Sequence, residues 1–215
     1  MMSKKLENLK NFNEDEVLND AKVYVIENLN SSSRGTKILN HSLYVADYSV
    51  DIAKHYSKEN PITHINKEYD TNIDVFACNI AALFHDIADV NPGNHSVHNI
   101  LGAKVAKKFL ENYDMPKDRI HLIENIILNH RIGQTKSRKT LEEKILPNAD
   151  AIERIINWES LYEDSLKAYD VKTADKYIVQ KLQKSWDKLT LNYPKSLTRE
   201  TYNSAMKFFE SKNNK

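Results

Sequence analysis

The segment from about Thr36 to Tyr56 carries apolar residues on two opposite sides of one helix. The two stripes are Leu39, Leu43, Ala46, Val50 and Ala53 on one side, and Ile38, His41, Val45, Tyr48 and Ile52 on the other. A helix that is apolar on both sides has to be covered on both sides, which predicts a central place in a helical bundle. His41 therefore faces packed protein, where an imidazole needs a partner.

Helical patterns also dominate the rest of the chain. Only 4 Gly and 5 Pro occur among 215 residues, which favours long helices with short connections. Thr140 and Glu143 form a capping-box pattern that opens one of these helices. We therefore predict an all-α fold with no sheet of consequence. The other predicted helices run from about 13 to 29, 72 to 90, 96 to 112 and 117 to 131, with two or three accessory helices after Trp158.

The charge balance and the cysteine count exclude several classes of protein. With 31 Lys+Arg against 30 Asp+Glu the formal net charge is +1, so we expect a small-molecule partner and no nucleic acid. The single cysteine, Cys78, excludes an internal disulfide framework and a thiolate zinc site. No segment has the apolar length of a membrane span or a signal peptide, so we expect a cytoplasmic protein without membrane contact. Homo-oligomer formation stays open.

Histidines and aspartates recur on several of the predicted helices. His85 and Asp86 are adjacent, and the small residues Cys78 and Ala82 precede them on the same face, so neighbouring helices can approach closely. Taken singly, His41 could be a hydrogen-bonded core histidine, the pair a polar helix end, and Asp150 an N-cap. Together they predict convergence on a divalent metal, the commonest compensation for such groups in a protein interior.

The order of His41, His85-Asp86 and Asp150 resembles the H...HD...D signature of the HD-domain superfamily of metal-dependent phosphohydrolases. The flanking sequences ALFHDIAD and ILPNADAIE are also typical of that family. The resemblance covers roughly residues 36 to 157 and implies an all-α, single-domain HD-type bundle. We accordingly assign 1–35 to an N-terminal helix packed on the core, 36–157 to the HD domain and 158–215 to a C-terminal helical extension of the same domain.

Two further histidines are similar to the extra ligands of HD proteins that have a larger site: His98 in NHSVHNILGA and His130 in ILNHRIG. Such proteins include dinucleoside polyphosphate hydrolases with two metals and mixed-valence di-iron oxygenases. Each histidine could instead contact substrate or cap a helix, and His95 is the alternative to His98. The resemblance implies one or two divalent ions (Mn, Fe, Co, Ni or Zn) held by His41, His85, Asp86, His98, His130 and Asp150.

The chain departs from many HD phosphohydrolases at Asp89, where those proteins have a lysine. We expect Asp89 to lie one turn from Asp86 on the same helix face, in contact with a ligand or with water on the metal. The predicted catalytic residues are therefore Asp86, Asp89 and Arg131. Substrate phosphates are expected on Arg131, whose guanidinium binds them in a bidentate fork, and on Lys104 and Lys107.

A further basic stripe is formed by Lys181, Lys184 and Lys188 at helical spacing. Charge runs of this kind usually lie on the solvated side of a helix, and we expect the same here.

The resulting hypothesis is an enzyme, a metal-dependent phosphohydrolase that cleaves a phosphate ester or anhydride with metal-activated water. A nucleotide is the substrate class that the resemblance implies. Two alternatives stay open. One is an HD-fold di-iron oxygenase with the same six ligands, which would consume oxygen. The other is a non-catalytic HD module that senses a ligand or presents its C-terminal helices to a protein partner.

Overall fold

The computed structural model describes residues 10–57, 72–131 and 138–213. These ranges contain nine α-helices and no strand, apart from an isolated bridge between Lys10 and Tyr113, which confirms the all-α prediction. None of the helices in these ranges combines the length and the apolarity needed to cross a bilayer. The chain divides into two compact units, Met1–Leu146 and Pro147–Lys215, and the division falls inside the sixth α-helix.

The first unit is a bundle in which α2 packs along α3, and α5 contacts both α3 and α4. The first helix, α1, contacts α2 and α3. Two short 3-10 turns connect α3 to α4, at Ile87–Val90 and Pro92–Asn94. The helices are α1 Glu14–Leu29, α2 Ser33–Tyr56, α3 Val75–Phe84, α4 His98–Leu110, α5 Lys117–Leu128 and α6 Leu141–Ile156, of which the last ends in the second unit.

Helix starts in this unit follow from short polar side chains that accept hydrogen bonds from otherwise unsatisfied N–H groups. Asn13 caps α1 by accepting from the Glu16 N–H, and Asp74 caps α3 by accepting from the Ala77 N–H. The predicted capping residue Thr140 accepts from the Glu143 N–H at 3.3 Å, and α6 begins at the next residue. Each of these starts is therefore encoded locally.

The central helix α2 is buried on two sides, as its apolar pattern predicts. Leu39, Ala46 and Ala53 are buried from one stripe, and Val45 and Ile52 from the other. The other buried residues are Gly35, Ser42 and Ser49. The side chain of His41 is only 15% exposed, so it faces packed protein. This helix thereby holds one of the predicted ligands in the interior of the first unit.

Three predicted helix ends next to the histidines were wrong by two to six residues. The third helix ends at Phe84 instead of continuing to Val90, the fourth begins at His98, and the fifth ends at Leu128. At Asp86 the backbone leaves the α-helical region, with φ −110° and ψ 8°. His85, Asp86, His98 and His130 consequently lie at helix termini or just beyond them, whereas His41 and Asp150 lie within α2 and α6.

The second unit consists of the end of α6 followed by α7 Trp158–Ala168, α8 Val171–Lys188 and α9 Asn192–Asn213. Here α8 contacts both α7 and α9. The buried Asn148 of α6 accepts from the N–H groups of Thr190 and Leu191 and donates to the Thr190 hydroxyl at 3.0 Å. These bonds attach the end of α8 to α6. Aromatic packing joins α7 to α9, with Trp158 and Tyr162 against Phe208 and Phe209.

Candidate metal centre

Four histidines surround the Asp86 carboxylate in the first unit. His98 Nε2 lies 3.1 Å and His130 Nε2 3.7 Å from its Oδ1 atom. On the other oxygen, His85 Nε2 lies 3.4 Å and His41 Nε2 3.7 Å from Oδ2. The four imidazoles come from α2, the end of α3, the start of α4 and the end of α5. The fold thus brings five of the six predicted ligands together around one carboxylate.

The tautomers of three of these histidines follow from their hydrogen bonds. The Nδ1 atoms of His85, His98 and His130 each lie 2.7 Å from the carbonyl oxygen of the residue three positions earlier. A carbonyl oxygen only accepts, so each Nδ1 carries the proton and each neutral ring presents a lone pair at Nε2. Metal-binding histidines are oriented by this kind of bond to the outer nitrogen.

The resulting arrangement has too many acceptors for its donors. The Nε2 atoms of His98 and His130 lie only 3.3 Å apart, so their lone pairs face one another. Within the described part of the chain, His85 Nε2 and Asp86 Oδ1 are buried atoms without a hydrogen-bond partner of acceptable geometry. Buried acceptors that converge in this way are costly unless a cation or proton lies between them.

The pKa values of Asp86 and His98 are shifted by the same close contacts between the carboxylate and the imidazoles. Burial raises the pKa of the Asp86 carboxyl, but the imidazoles of His85, His98 and His41 outweigh burial and hold that pKa well below its usual value. Burial likewise lowers the pKa of His98, but the Asp86 carboxylate outweighs it and the pKa is raised. The carboxylate therefore stays ionised and attracts positive charge to its oxygens.

The donor set fits a divalent transition metal. One ligand atom each from Asp86, His98 and His130 lies within 4.8 Å of the other two. Imidazole nitrogens together with a hard carboxylate oxygen suit Mn, Fe, Co, Ni or Zn, whereas Ca²⁺ prefers oxygen ligands alone. These side chains thus fit the divalent metal ion that the sequence pattern predicts.

Close packing and side-chain bonds hold the histidine-bearing segments in place. Gly102 of α4 packs against the carbonyl groups of Phe84 and His85, which an added Cβ would approach to 2.9 and 3.0 Å. Asn99, also on α4, donates to the Leu128 carbonyl at 2.9 Å and so attaches the end of α5. Neither residue was predicted from the sequence, although both lie within a turn of His98.

The loop that carries His130 has a further support, also missed from the sequence. The Arg138 guanidinium donates to the carbonyls of Asn129 and His130 at 3.1 and 3.4 Å. Asn129 in turn donates to the Glu143 carboxylate at 3.1 Å. These contacts connect the end of α5 to the start of α6.

Asp89 does not lie on the same helix as Asp86, because α3 ends before the pair and Asp89 belongs to the following 3-10 turn. Its Oδ1 atom lies 2.9 Å from His95 Nδ1, and its Oδ2 atom accepts from Arg34 at 2.9 Å. Arg34 also donates to the Asp89 carbonyl at 2.8 Å. No sequence signal indicated this contact, because 55 residues separate the partners and Arg34 lies in a segment predicted to be a loop.

The alternative ligand His95 is 69% exposed and contacts Asp89, and one ligand atom each from His95, Asp89 and His98 lies within 4.8 Å of the other two. Its carbonyl oxygen also accepts the Nδ1–H of His98. His98 is therefore the histidine that faces Asp86, and His95 fixes the orientation of its ring.

The three cations predicted to bind phosphate lie at different positions in the first unit. Arg131 donates to the carbonyls of Ser96 and His95 at 2.6 and 3.2 Å, so it lies beside the segment that precedes His98. Lys107 forms an ion pair with Glu124 of α5 at 3.0 Å, and Lys104 is exposed on α4. The roles of all three in substrate binding stay predictions.

Asp150, the remaining predicted ligand, belongs to the second unit. Its side chain is only 2% exposed, and its two oxygens accept from Arg154 at 2.8 Å and from Lys188 at 2.7 Å. A buried carboxylate requires such compensation. Lys188 is thus not part of a purely solvated face, contrary to the expectation from its spacing.

Comparison with known families agrees with this geometry. Residues 38–155 match the family model of the HD domain, which is more than half of the 215-residue chain. The chain therefore belongs to the HD domain family, and the resemblance inferred from His41, His85-Asp86 and Asp150 is confirmed. No curated protein and no solved structure matches the chain. Proteins of this family are generally hydrolases that bind divalent metals, within a superfamily of metal-dependent phosphohydrolases.

Proposed function

We propose that this protein is a metal-dependent phosphohydrolase that cleaves a phosphate ester or anhydride of a nucleotide. The observation that carries the proposal is the set of three histidines whose Nδ1–H groups are tied to carbonyl oxygens while their Nε2 atoms converge on one carboxylate. The proposed ligands of one or two divalent ions are His41, His85, Asp86, His98, His130 and Asp150.

Each ligand has a task that its environment supports. Asp86 offers one oxygen to His98 and His130 and the other to His85 and His41, so its carboxylate would help to hold one or two ions. A divalent ion bound here would supply the activation of water and the stabilisation of negative charge on a phosphoryl group. The carbonyl-bound rings keep their lone pairs directed inward and require no proton loss before binding.

Asp150 is proposed as a ligand on the basis of the family match, which includes it, and of its burial. Arg154 and Lys188 form ion pairs with its carboxylate, and the ionised form is the one in which a carboxylate binds a metal. Each of its oxygens has a second lone pair beyond the one that these cations use. The ion pairs are therefore compatible with coordination.

The polar residues around the cluster are proposed to position substrate and solvent. Asp89 holds Arg34 and His95 beside the cluster, and we propose that it orients these groups. Arg131 is the proposed phosphate contact nearest to His98, with Lys104 and Lys107 further along α4. A nucleotide is proposed because it is the substrate class that the family resemblance implies, and its phosphate bonds are of the kind that a phosphohydrolase centre cleaves.

The test is metal analysis of purified protein followed by an activity panel. Nucleotides, dinucleoside polyphosphates and simple phosphate esters would be offered with Mn²⁺, Co²⁺ or Ni²⁺, using Asp86→Ala as the inactive variant. We expect phosphate or pyrophosphate release by the wild type and its loss in the variant. The matched control is Asp118→Ala, an exposed aspartate in the first turn of α5.

Two results would contradict the proposal. Equal metal content in the wild type and Asp86→Ala would remove Asp86 from the site. Oxygen consumption by the iron-loaded protein, without phosphate release from any compound of the panel, would favour the oxygenase chemistry instead.

A further inference from the structure

The second unit contains one buried carboxylate with two cationic partners, and two further lysines on the helix that supplies one of those partners. Arg154 and Lys188 contact the two oxygens of Asp150 and are themselves 27% and 20% exposed. Lys181 and Lys184 lie on the same helix as Lys188, α8. Their positions differ by three and four residues, so the three lysines share one face of that helix. The cluster therefore carries four positive charges against one negative charge.

The fold holds this helix face beside Asp150. Asn148, two residues before Asp150, accepts from the backbone N–H groups of Thr190 and Leu191, which directly follow α8. Asn148 is fully buried, so its bonds are shielded from competition by water. The last turn of α8 is thereby attached to the same helix that carries Asp150 and Arg154.

The excess of positive charge is destabilising, and charge compensation of Asp150 does not require it. Two cations already satisfy Asp150, and within the described ranges Lys181 has no ion pair, its ammonium lying 5.4 Å from the centre of the Tyr177 ring. Burial lowers the pKa of Lys181, and the neighbouring Arg154, Lys188 and Lys184 lower it further, while Asp150 opposes them. Like charges held this close repel one another unless an anion joins them.

We propose that Arg154, Lys181, Lys184 and Lys188 bind a chain of phosphate groups in the substrate. This inference deepens the proposed function and rests on it, because it makes the cluster the phosphate site next to a metal ligand. A metal bound to Asp150 would offset the carboxylate charge and weaken its hold on Arg154 and Lys188. All four cations could then donate charge-assisted hydrogen bonds to phosphate oxygens.

The length of the cluster favours more than one phosphate. From Lys181 to Lys188 the helix rises by seven residues, about 10 Å at 1.5 Å per residue. A single phosphate would contact both ends of such a row only if the two lysine side chains leaned toward each other. A triphosphate or another phosphate chain can reach both ends, so the inferred substrate class is a compound with several linked phosphates.

The experiment uses inorganic tripolyphosphate as the probe and full-length protein with the metal it holds as purified, with binding measured by calorimetry at several salt concentrations. Lys181→Ala and Lys184→Ala are the test variants, because in the described part of the chain neither residue forms an ion pair or hydrogen bond with Asp150, and both changes should leave the fold intact. Lys172→Ala is the matched control, an exposed lysine on the opposite side of α8. Circular dichroism verifies folding of each variant.

We expect each test variant to weaken tripolyphosphate binding by about tenfold and to reduce its salt dependence, whereas Lys172→Ala should leave both unchanged. Orthophosphate should bind more weakly than tripolyphosphate. Equal affinity of the wild type and both test variants, an equal loss in Lys172→Ala, or no binding of tripolyphosphate would overturn the inference.

Metal analysis of the same proteins separates the two proposals. Normal metal content with absent tripolyphosphate binding would refute the phosphate-chain site alone. Absent metal with intact, Lys181-dependent binding would refute the proposed function and leave an anion site of unassigned purpose.

Discussion

The direction in which the candidate histidine ligands present their lone pairs depends on what binds the other ring nitrogen, Nδ1. His85, His98 and His130 all donate Nδ1–H to the carbonyl three residues earlier. At His85 and His130 the same bond also satisfies a carbonyl near the end of a helix, where intrahelical donors run out. One interaction thus ends the helix and orients the ligand.

Replacement of His130 by alanine should weaken metal binding. The change removes one of the two nitrogens that face Asp86 Oδ1, and we expect metal affinity to fall by at least about tenfold. His121→Ala is the control, since that side chain is 61% exposed and pairs with Glu124 on the surface of α5. Competition with a chelating dye measures both affinities, and equal values for the two variants would exclude His130 as a ligand.

The buried Cys78 should be chemically inert in the folded protein. Burial raises the pKa of its thiol well above the ordinary value of 9.0, and the nearby Glu142 and Asp74 carboxylates raise it further. A thiol with a raised pKa stays protonated as the pH rises from 7 to 9, so its alkylation rate should not increase as that of an exposed thiol does. Mass spectrometry after iodoacetamide treatment tests this, with urea-unfolded protein as the reactive reference. Rapid labelling of native protein would show that the thiol is accessible.

The ends of the helices, more than their middles, build the candidate metal centre. α3 ends just before His85, α4 begins at His98, and α5 ends two residues before His130. Gly102 allows α4 to approach the end of α3 where the His-Asp pair lies. The alignment of these termini therefore depends on close contact between two helices.

Substitution of Gly102 by alanine should disturb this contact. The added Cβ would meet the backbone oxygens of Phe84 and His85 at 2.9 and 3.0 Å, and backbone cannot move aside as a flexible side chain can. We expect a loss of about 1–3 kcal/mol in the free energy of unfolding, together with weaker metal binding. Urea denaturation measures the former.

Gly93→Ala is the control for this substitution. Its added Cβ would meet only the Asn91 side chain, at 3.4 Å, which is ordinary contact. A Gly102 variant as stable as the Gly93 variant would mean that the two helices can separate without cost.

At the scale of the whole molecule, the candidate centre joins distant parts of the first unit through one carboxylate. His41 and His130 are 89 positions apart in the chain, yet both imidazoles lie 3.7 Å from Asp86. A metal that binds the folded state alone must stabilise that state by mass action. We therefore expect folding and metal binding to be coupled.

Chelation should accordingly lower the thermal stability of the wild type. With metal at about 100 times Kd the expected contribution is about 2.7 kcal/mol, which EDTA would remove. Differential scanning calorimetry with and without Mn²⁺ measures the shift in Tm. Asp86→Ala should show no shift, whereas His121→Ala should behave as the wild type. A Tm that is independent of chelation in the wild type would speak against a metal held by the folded state.

Much of this architecture was accessible from the sequence, because it depends on local patterns. Apolar spacing predicted α2 and its burial on both sides, and the capping box at Thr140 predicted the start of α6. The family followed from the order of His41, His85-Asp86 and Asp150. The contacts of Arg34 with Asp89 and of Lys188 with Asp150 were not predicted, since each joins residues far apart in the chain.

By itself, the sequence determined the helical class, the family and the chemical types of the candidate ligands, because these depend on periodicity and on motif order. Only the tertiary structure decided which ring nitrogens face Asp86, where the helices end around them, and which cations surround Asp150. The physical reason is that hydrogen bonds and ion pairs in a protein interior form between groups that packing brings together, and packing is not a local property of the chain.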